Sequence, residues 1–434
     1  MTKGFYDYNY ISQLLTYHMK KIILLSFFFI GFLYHSNAQE TINTMFYNIL
    51  DFPEAPPSDR ASILKKIITD YQPDLFMVCE LQSQDGANII LNTSLQTANQ
   101  KYKMAQFVSN QSNPNTHLQQ LIFYNKDKLI LDRQRIITTA VRDINHYTFI
   151  LNTADATINP IYLDVFVTHL KSSQGYANEQ ERLQMVTEFT DKLSSIPTDH
   201  FLIFAGDLNL YTANEDAYQE LLDPSNAIIF KDPINTPGGW HNNDNYQHIH
   251  TQSTRVSSYG RFDGHGAGGG LDDRFDFILI SENLQNSNTL HYVENSYKAY
   301  GNNGNCFNKN INNMNCTGEF SQEMRNNLYN MSDHLPVVLQ LETNFVLSST
   351  ENTFLKKTIQ LTHGNLIYNR MQLEINPEAL GSQLEIYNNL GQIIKRTFLT
   401  QTHTTINVTQ LAKGIYYLHL KNDYPHNTLK FIKL

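Results

Sequence analysis

Short, almost uninterrupted apolar runs recur along most of the chain, and polar side chains gather at their ends. Residues 42–50, Leu75-Phe76-Met77-Val78-Cys79, 161–168 and Phe201-Leu202-Ile203-Phe204-Ala205 carry little of the polar alternation of a half-exposed strand. Such runs read as strands buried on both faces. Between them, Ile63, Leu64, Ile67, Ile68 and Tyr71 keep helical spacing, with Ser58 placed to cap the helix. Helical spacing returns over about 85–98, over about 177–196 with Val186, Phe189 and Leu193 on one face, and briefly over 214–222. Segments 118–124, 129–138 and 147–151 read as hairpin strands, and 274–280 and 337–341 as later strands.

This alternation predicts an α/β domain with a large mixed sheet and helices outside. The polar residues at the strand ends are Asn48, Glu80, His169, Asp207 with Asn209, Asp276, and Asp333 with His334. One such residue is a turn or a cap. Their repetition, each directly after a buried strand, predicts a ligand site along one edge of the sheet.

Four carboxylates (Glu80, Asp207, Asp276 and Asp333) and two Asn brought together would repel one another without a cation among them. Hard oxygen donors suit Mg2+, with Mn2+ or Ca2+ as alternatives, better than zinc. Such a cation polarises a phosphoryl oxygen. His334 beside a carboxylate can act as general base or as a charged donor to a developing oxyanion. Hydrolysis of a phosphate ester is the economical reading.

The ordered set Asn48, Glu80, Thr168-His169-Leu170, Gly206-Asp207-Leu208-Asn209, Arg274-Phe275-Asp276 and Ser332-Asp333-His334 resembles the endonuclease/exonuclease/phosphatase superfamily, the pancreatic deoxyribonuclease type, over roughly residues 41–342. The resemblance implies a four-layer α/β sandwich of two mixed sheets with outer helices. It also implies that Glu80 is the principal metal ligand, assisted by Asn48 and Asp333. His334 would be the catalytic imidazole held by Asp276. Asp207 and Asn209 would position water and phosphate, and His169 would bind phosphoryl oxygens or protonate the leaving group. Arg274 would be structural or a helper on the phosphate side. Cys79 stands where the family usually has Gln, and the glycine cluster 264–270 has no counterpart that can be aligned.

Composition narrows the setting. With 32 Lys+Arg against 41 Asp+Glu, the formal charge of −9 excludes a strongly basic nucleic-acid binder but not a phosphate substrate. Of the three cysteines, Cys79 reads as a buried thiol, while Cys306 and Cys316 can pair in an oxidising compartment. Met19-Lys20-Lys21, an apolar stretch and Ser36-Asn37-Ala38 have the parts of a secretory signal over 19–38, with 1–18 as an upstream extension. Trp240-His241 and the pair His248/His250 read as a solvated loop in preference to a second metal site, and Arg255 can reach the main site from its loop. Most of the Tyr and Phe residues belong to core and strand surfaces.

After the catalytic segment 39–343, a Ser/Thr/Asn-rich linker is expected over 344–353, followed by a small all-β module over 354–434. Its turn Asn388-Asn389-Leu390-Gly391-Gln392 and the run Leu411-Ala412-Lys413-Gly414-Ile415-Tyr416 resemble the C-terminal sorting domain of the type IX secretion system of Bacteroidota, though the usual Pro-Asn-Pro opening is absent. The expected protein is a secreted or cell-surface phosphoesterase, foremost a nuclease acting on extracellular nucleic acid. It would engage the type IX secretion machinery and no stable protein partner. A phosphodiesterase for lipid headgroups or small phosphate esters is the alternative, and a non-catalytic surface binding protein the second.

Overall fold

The structure, a computed structural model, describes residues 39–96, 101–252, 254–255, 261–347, 359–362, 364–375, 379–421 and 428–434. The expected signal 19–38, its upstream extension 1–18 and most of the expected linker lie outside the described residues.

The strands of the larger unit are β1 (Glu40–Phe52), β2 (Leu75–Leu81), β3 (Tyr102–Met104), β4 (Gln119–Asn125), β5 (Leu129–Ile137), β6 (Ile144–Leu151) and β7 (Tyr162–His169). They continue as β8 (Phe201–Asp207), β9 (Phe230–Lys231), β10 (Asp276–Ser281), β11 (Leu290–Tyr292), β12 (Lys298–Ala299) and β13 (Val337–Thr343). One sheet runs β11-β13-β1-β2-β4-β3, with β12 also on β13, and the other runs β5-β6-β7-β8-β10-β9. Both are mixed: β1 and β2 are parallel, as are β7 and β8, whereas β13 and β10 return antiparallel to β1 and β8.

The sheets face each other, β1 and β2 against β7, β8 and β10. The period-two geometry of a strand explains how uninterrupted apolar runs are used. Ile203 and Ala205 point into the core between the sheets, while Leu202 and Phe204 point outward. There they meet Met185, Val186 and Phe189 of the helix Tyr176–Thr190. On the other side, Ile63, Leu64, Ile67 and Ile68 of the helix Arg60–Tyr71 and Met324, Leu328 and Met331 of the helix Gln322–Met331 join the larger core. The result is the expected four-layer α/β sandwich.

Several local expectations need correction. Ser58 does not cap its helix: Asp59 stands at the N-cap, and no side chain bonds the free N–H groups there. The helix expected over 85–98 is a short α-helix, Gln84–Ile89, capped by Ser83 and continued as a π-helix, Ile90–Leu95. The long third helix ends at Thr190, and a 3-10 turn, Leu193–Ser195, brings Leu193 back into the core. Cys306 and Cys316 are joined as a disulfide, and Cys79 is a buried free thiol.

The C-terminal unit is all β. The strands Ile359–Leu361, Arg370–Ile375 and His403–Asn407 form one small sheet; Leu366–Ile367, Thr428–Lys433, Gly414–Lys421, Gln383–Asn388 and Ile393–Phe398 form another. They close on Met371, Leu373, Leu384, Ile386, Leu418 and Phe431. The turn after Asn388 uses Gly391 at φ 76°, a conformation in which a side chain would be strained.

Candidate active site at the shared strand edge

The ends of β1, β2, β7 and β8 and the starts of β10 and β13 meet at one edge. Asp333-His334 precede β13, at the strand entrance that the run Val337-Val338-Leu339 implied, whereas Asp276, expected after a buried strand, opens β10. The physical reason is direction: an antiparallel strand begins at the edge where its parallel-running neighbours finish. Asp276 is accordingly the cross-strand partner of Asp207, which lies beside His169.

Asn48 ties the two sheets together. Its amide nitrogen donates to Glu80 Oε1 at 2.8 Å and to Asp207 Oδ2 at 3.0 Å, while its Oδ1 accepts the Leu50 N–H at 3.0 Å. The other Glu80 oxygen accepts the Asp51 N–H at 3.2 Å. Leu50, Asp51, Glu80 and Asn209 all have positive φ, between 41° and 59°. Each such non-glycine residue costs about 1–3 kcal/mol, so the clustering of four at one edge shows backbone geometry held by its surroundings. The register shift between β1 and β2 just past Asn48 is part of that local distortion.

His334 Nδ1 lies 2.8 Å from Asp276 Oδ2, and its Nε2 lies 3.7 Å from Asp207 Oδ2. His169 Nε2 approaches the same Asp207 oxygen at 3.5 Å. Asp207 Oδ1 accepts the Asn209 N–H at 3.1 Å, and Asn209 Nδ2 donates to the Leu170 carbonyl at 3.3 Å. Two hydroxyls support the arrangement. Ser332 Oγ donates to the Asn48 carbonyl at 2.7 Å and accepts the His334 N–H at 3.1 Å. Thr251 Oγ1 accepts the N–H groups of Phe275 and Asp276, both at 3.2 Å.

The charges are strongly coupled. Burial, with the Asp333 charge, pushes Glu80 up to about 6 against the opposing pull of His334 and the Asn48 hydrogen bond. Burial raises Asp207 to about 7; His334 opposes it, and the charges of Asp276 and Glu80 add to it. Burial alone would strip the proton from His334, but Asp276, Asp207 and Asp333 together hold its pKa well above the ordinary value. His169 goes the other way, pushed well below by burial, by Arg142 and by charged His334. At neutral pH one imidazole is charged and the other neutral.

Among the described residues, two groups of side chains could hold a divalent cation: Glu80, His169 and Asp207, and Asp207, Asp276 and His334, each with ligand atoms within 4.8 Å of one another. The donor set passes a test of fit. Asp276 Oδ1 and Asp333 Oδ1 are buried without a hydrogen-bond partner among the described residues. Bare carboxylate oxygens in a repelling cluster are what a cation would satisfy. Asp333 belongs to neither group, and Asn48 presents nitrogen, not oxygen, to the carboxylates.

Other sequence candidates go elsewhere. Arg274 is buried and paired bidentately with Asp232 at 2.8 and 2.9 Å, so its role is structural. Arg255 stacks 3.7 Å over Phe262 and donates to the Pro56 carbonyl, making no hydrogen bond to a site carboxylate. The solvated-loop reading of Trp240 and His250 is wrong, since both are buried: Trp240 packs on Tyr218 and Phe277, and His250 Nε2 lies 2.9 Å from the Trp240 carbonyl. Of the four residues in that reading, His241 and His248 are exposed. Sequence reading missed Arg142, which lies behind the site and donates to the His169 carbonyl at 2.8 Å and to that of Leu170. It also missed Thr251 and the carboxylate–imidazole pairs Asp273–His241 and Asp51–His265. A lone Arg, Thr or His in a loop carries no periodic signal.

Among solved structures, the larger unit is similar to the human Nocturnin catalytic domain with bound sulfate, at 15% identity and TM-score 0.44, covering 70% of this chain and 97% of that one. D. rerio TDP2 complexed with single-strand DNA product is similar at 14% identity and TM-score 0.45, covering 70% of this chain and 100% of that one. An endonuclease/exonuclease/phosphatase family protein from Bacteroides thetaiotaomicron is similar at 14% identity and TM-score 0.44, with 70% and 98% covered. No curated protein matches the sequence. The family assignment that the sequence does carry is at its C terminus, where residues 365–434 match the secretion system C-terminal sorting domain.

Proposed function

We propose that residues 39–343 form a divalent-cation-dependent phosphodiesterase whose substrate is extracellular nucleic acid, and that the tail directs export through type IX machinery. The supporting observation is the chain of contacts Asp276–His334–Asp207, 2.8 Å and 3.7 Å long, beside bare carboxylate oxygens. Glu80 would hold the cation, preferentially Mg2+, with the bare Oδ1 of Asp333, and Asn48 would join them by turning its amide oxygen from the Leu50 N–H toward the carboxylates. When bound, Mg2+ would polarise a phosphoryl oxygen and screen the negative charge that repels an incoming nucleophile.

The side chains divide the remaining work. Asp207, whose Oδ1 accepts the Asn209 N–H at 3.1 Å, would accept a proton from water, with Asn209 helping to orient that water. Charged His334, aligned by Asp276, would donate to the phosphoryl oxygen on which negative charge accumulates. Neutral His169 would donate a hydrogen bond to a second phosphoryl oxygen. Of the two roles that the family resemblance implies for it, a depressed pKa favours binding over protonation of the leaving group.

A second reading, a phosphodiesterase for lipid headgroups or small phosphate esters, draws support from the −9 charge and from Arg142 and Arg255, whose guanidinium groups are committed to backbone carbonyls. The test is hydrolysis of linear and circular DNA, RNA and sphingomyelin with Mg2+ or EDTA, with His334→Ala alongside. Metal-dependent cutting of circular DNA, lost in the variant, establishes an endonuclease. Turnover of sphingomyelin with nucleic acid untouched replaces the first reading with the second.

A further inference from the structure

The loop-rich segment between β9 and β10 brings two half-exposed imidazoles to the rim of the site, one against each sheet. His241 Nδ1 lies 2.7 Å from Oδ1 of buried Asp273, and its backbone N–H donates to the Tyr211 carbonyl at 3.2 Å. Asp273 is bridged through Gln252 to His334, and Tyr211 follows Asn209 by two residues. His265 Nδ1 lies 3.2 Å from Asp51 Oδ2, and the Asp51 N–H donates to Glu80. The ring is carried between Gly264 at φ 85° and Gly266 at φ 106°, conformations that a side chain would strain. This gives the glycine-rich stretch a physical purpose.

Resting on the phosphodiesterase reading, we propose that His241 and His265 are substrate-binding residues that contact the phosphates on either side of the scissile one. The enzyme would then be matched to a polynucleotide strand and not to an isolated phosphate ester. The first argument is electrostatic. Asp273 and Asp51 add negative charge to an edge already holding Glu80, Asp207, Asp276 and Asp333, which an anionic chain would avoid. Each added carboxylate is covered by a ring whose Nδ1 it engages. With Nδ1 held, Nε2 is the ring nitrogen left for a ligand, and a doubly protonated ring would donate it to a phosphate oxygen.

The second argument is exposure. His241 and His265 side chains are 43% and 33% exposed, whereas His169 and His334 are buried. Arg142 and Arg255 are spent on backbone carbonyls, and Lys171 turns back to the Ser172 carbonyl. The rings also stand on different supports, Asp51 leading from β1 and Asp273 leading into β10. They can therefore engage the two flanking phosphates independently.

The experiment compares kcat/KM of the full chain, with Mg2+, on a thymidine oligonucleotide and on bis(p-nitrophenyl) phosphate, which has no flanking phosphate. His241→Gln and His265→Gln are each expected to lower the oligonucleotide-to-small-diester ratio about tenfold, the loss of one charge-assisted hydrogen bond, mainly through KM. Equal losses on both substrates, or no loss on either, overturn the rim assignment while leaving the phosphodiesterase reading in place. A wild-type chain that cleaves neither diester overturns both. The two variants lie on separate supports, so misfolding of one leaves the other to decide.

Discussion

His334 Nδ1 and Asp276 Oδ2 lie 2.8 Å apart inside the protein, and the second Asp276 oxygen is buried with no hydrogen-bond partner among the described residues. This pair fixes the ring and turns Nε2 toward Asp207. If it aligns a charged imidazole, Asp276→Asn should preserve the fold yet lower kcat about 10²–10⁴-fold, the range for loss of a positioned proton-handling group. Steady-state kinetics beside a thermal melt make the check. A variant that melts normally and retains full kcat would remove the pair from the mechanism.

The metal assignment carries a pH signature. Glu80 is raised to about 6 and Asp207 to about 7, so the cation-free fold holds protons there that an unfolded chain would have released. A raised carboxyl contributes stability that is full below its unfolded pKa and is lost as pH rises through the folded value. The Tm of cation-free protein should therefore fall between about pH 4 and 7 from these two groups. Mg2+ should restore it most at the upper end, where the carboxylates are free to bind. Glu80→Gln should flatten the smaller share of the pH slope, since Asp207 carries the larger shift, and abolish the Mg2+ response. A Mg2+ shift that persists in this variant would place the cation elsewhere.

Arg274 tests structure against chemistry. Its guanidinium makes two parallel bonds to buried Asp232 and stacks 4.1 Å over Phe277. Lys cannot reproduce that fork. Arg274→Lys keeps the charge but loses one of the two bonds, and should cost about 1.5–3 kcal/mol in denaturant unfolding with KM unchanged. A raised KM at undiminished stability would return Arg274 to the substrate.

The Cys306–Cys316 bond closes a loop of sequence separation 10. Loop-closure entropy for so short a loop corresponds to roughly 2–3 kcal/mol. Reduction with dithiothreitol should lower the Tm correspondingly, and Cys306→Ser should reproduce the shift. A reduced protein that melts with the oxidised one would remove the bond from the stability account. Cys79, buried and with its pKa pushed up by its surroundings, should stay unreactive in the native state.

Much of this architecture was legible in the sequence because burial is encoded locally. An apolar run such as Phe201-Leu202-Ile203-Phe204-Ala205 states that both strand faces are covered, and Ile63, Leu64, Ile67 and Ile68 state which helix face is inward. The ordered motifs located Asn48, Glu80, His169, Asp207, Asn209, Asp276, Asp333 and His334, all of which the fold brings to one edge. Tertiary structure decided which of them touch. Strand direction and order, set by packing between residues far apart in sequence, made Asp276 the neighbour of Asp207 and let Asn48 bond Glu80 and Asp207 together. The same long-range packing placed Arg142 behind His169 and set His241 and His265 on their carboxylates. A loop side chain has no periodicity to announce its partner; only the closed fold supplies one.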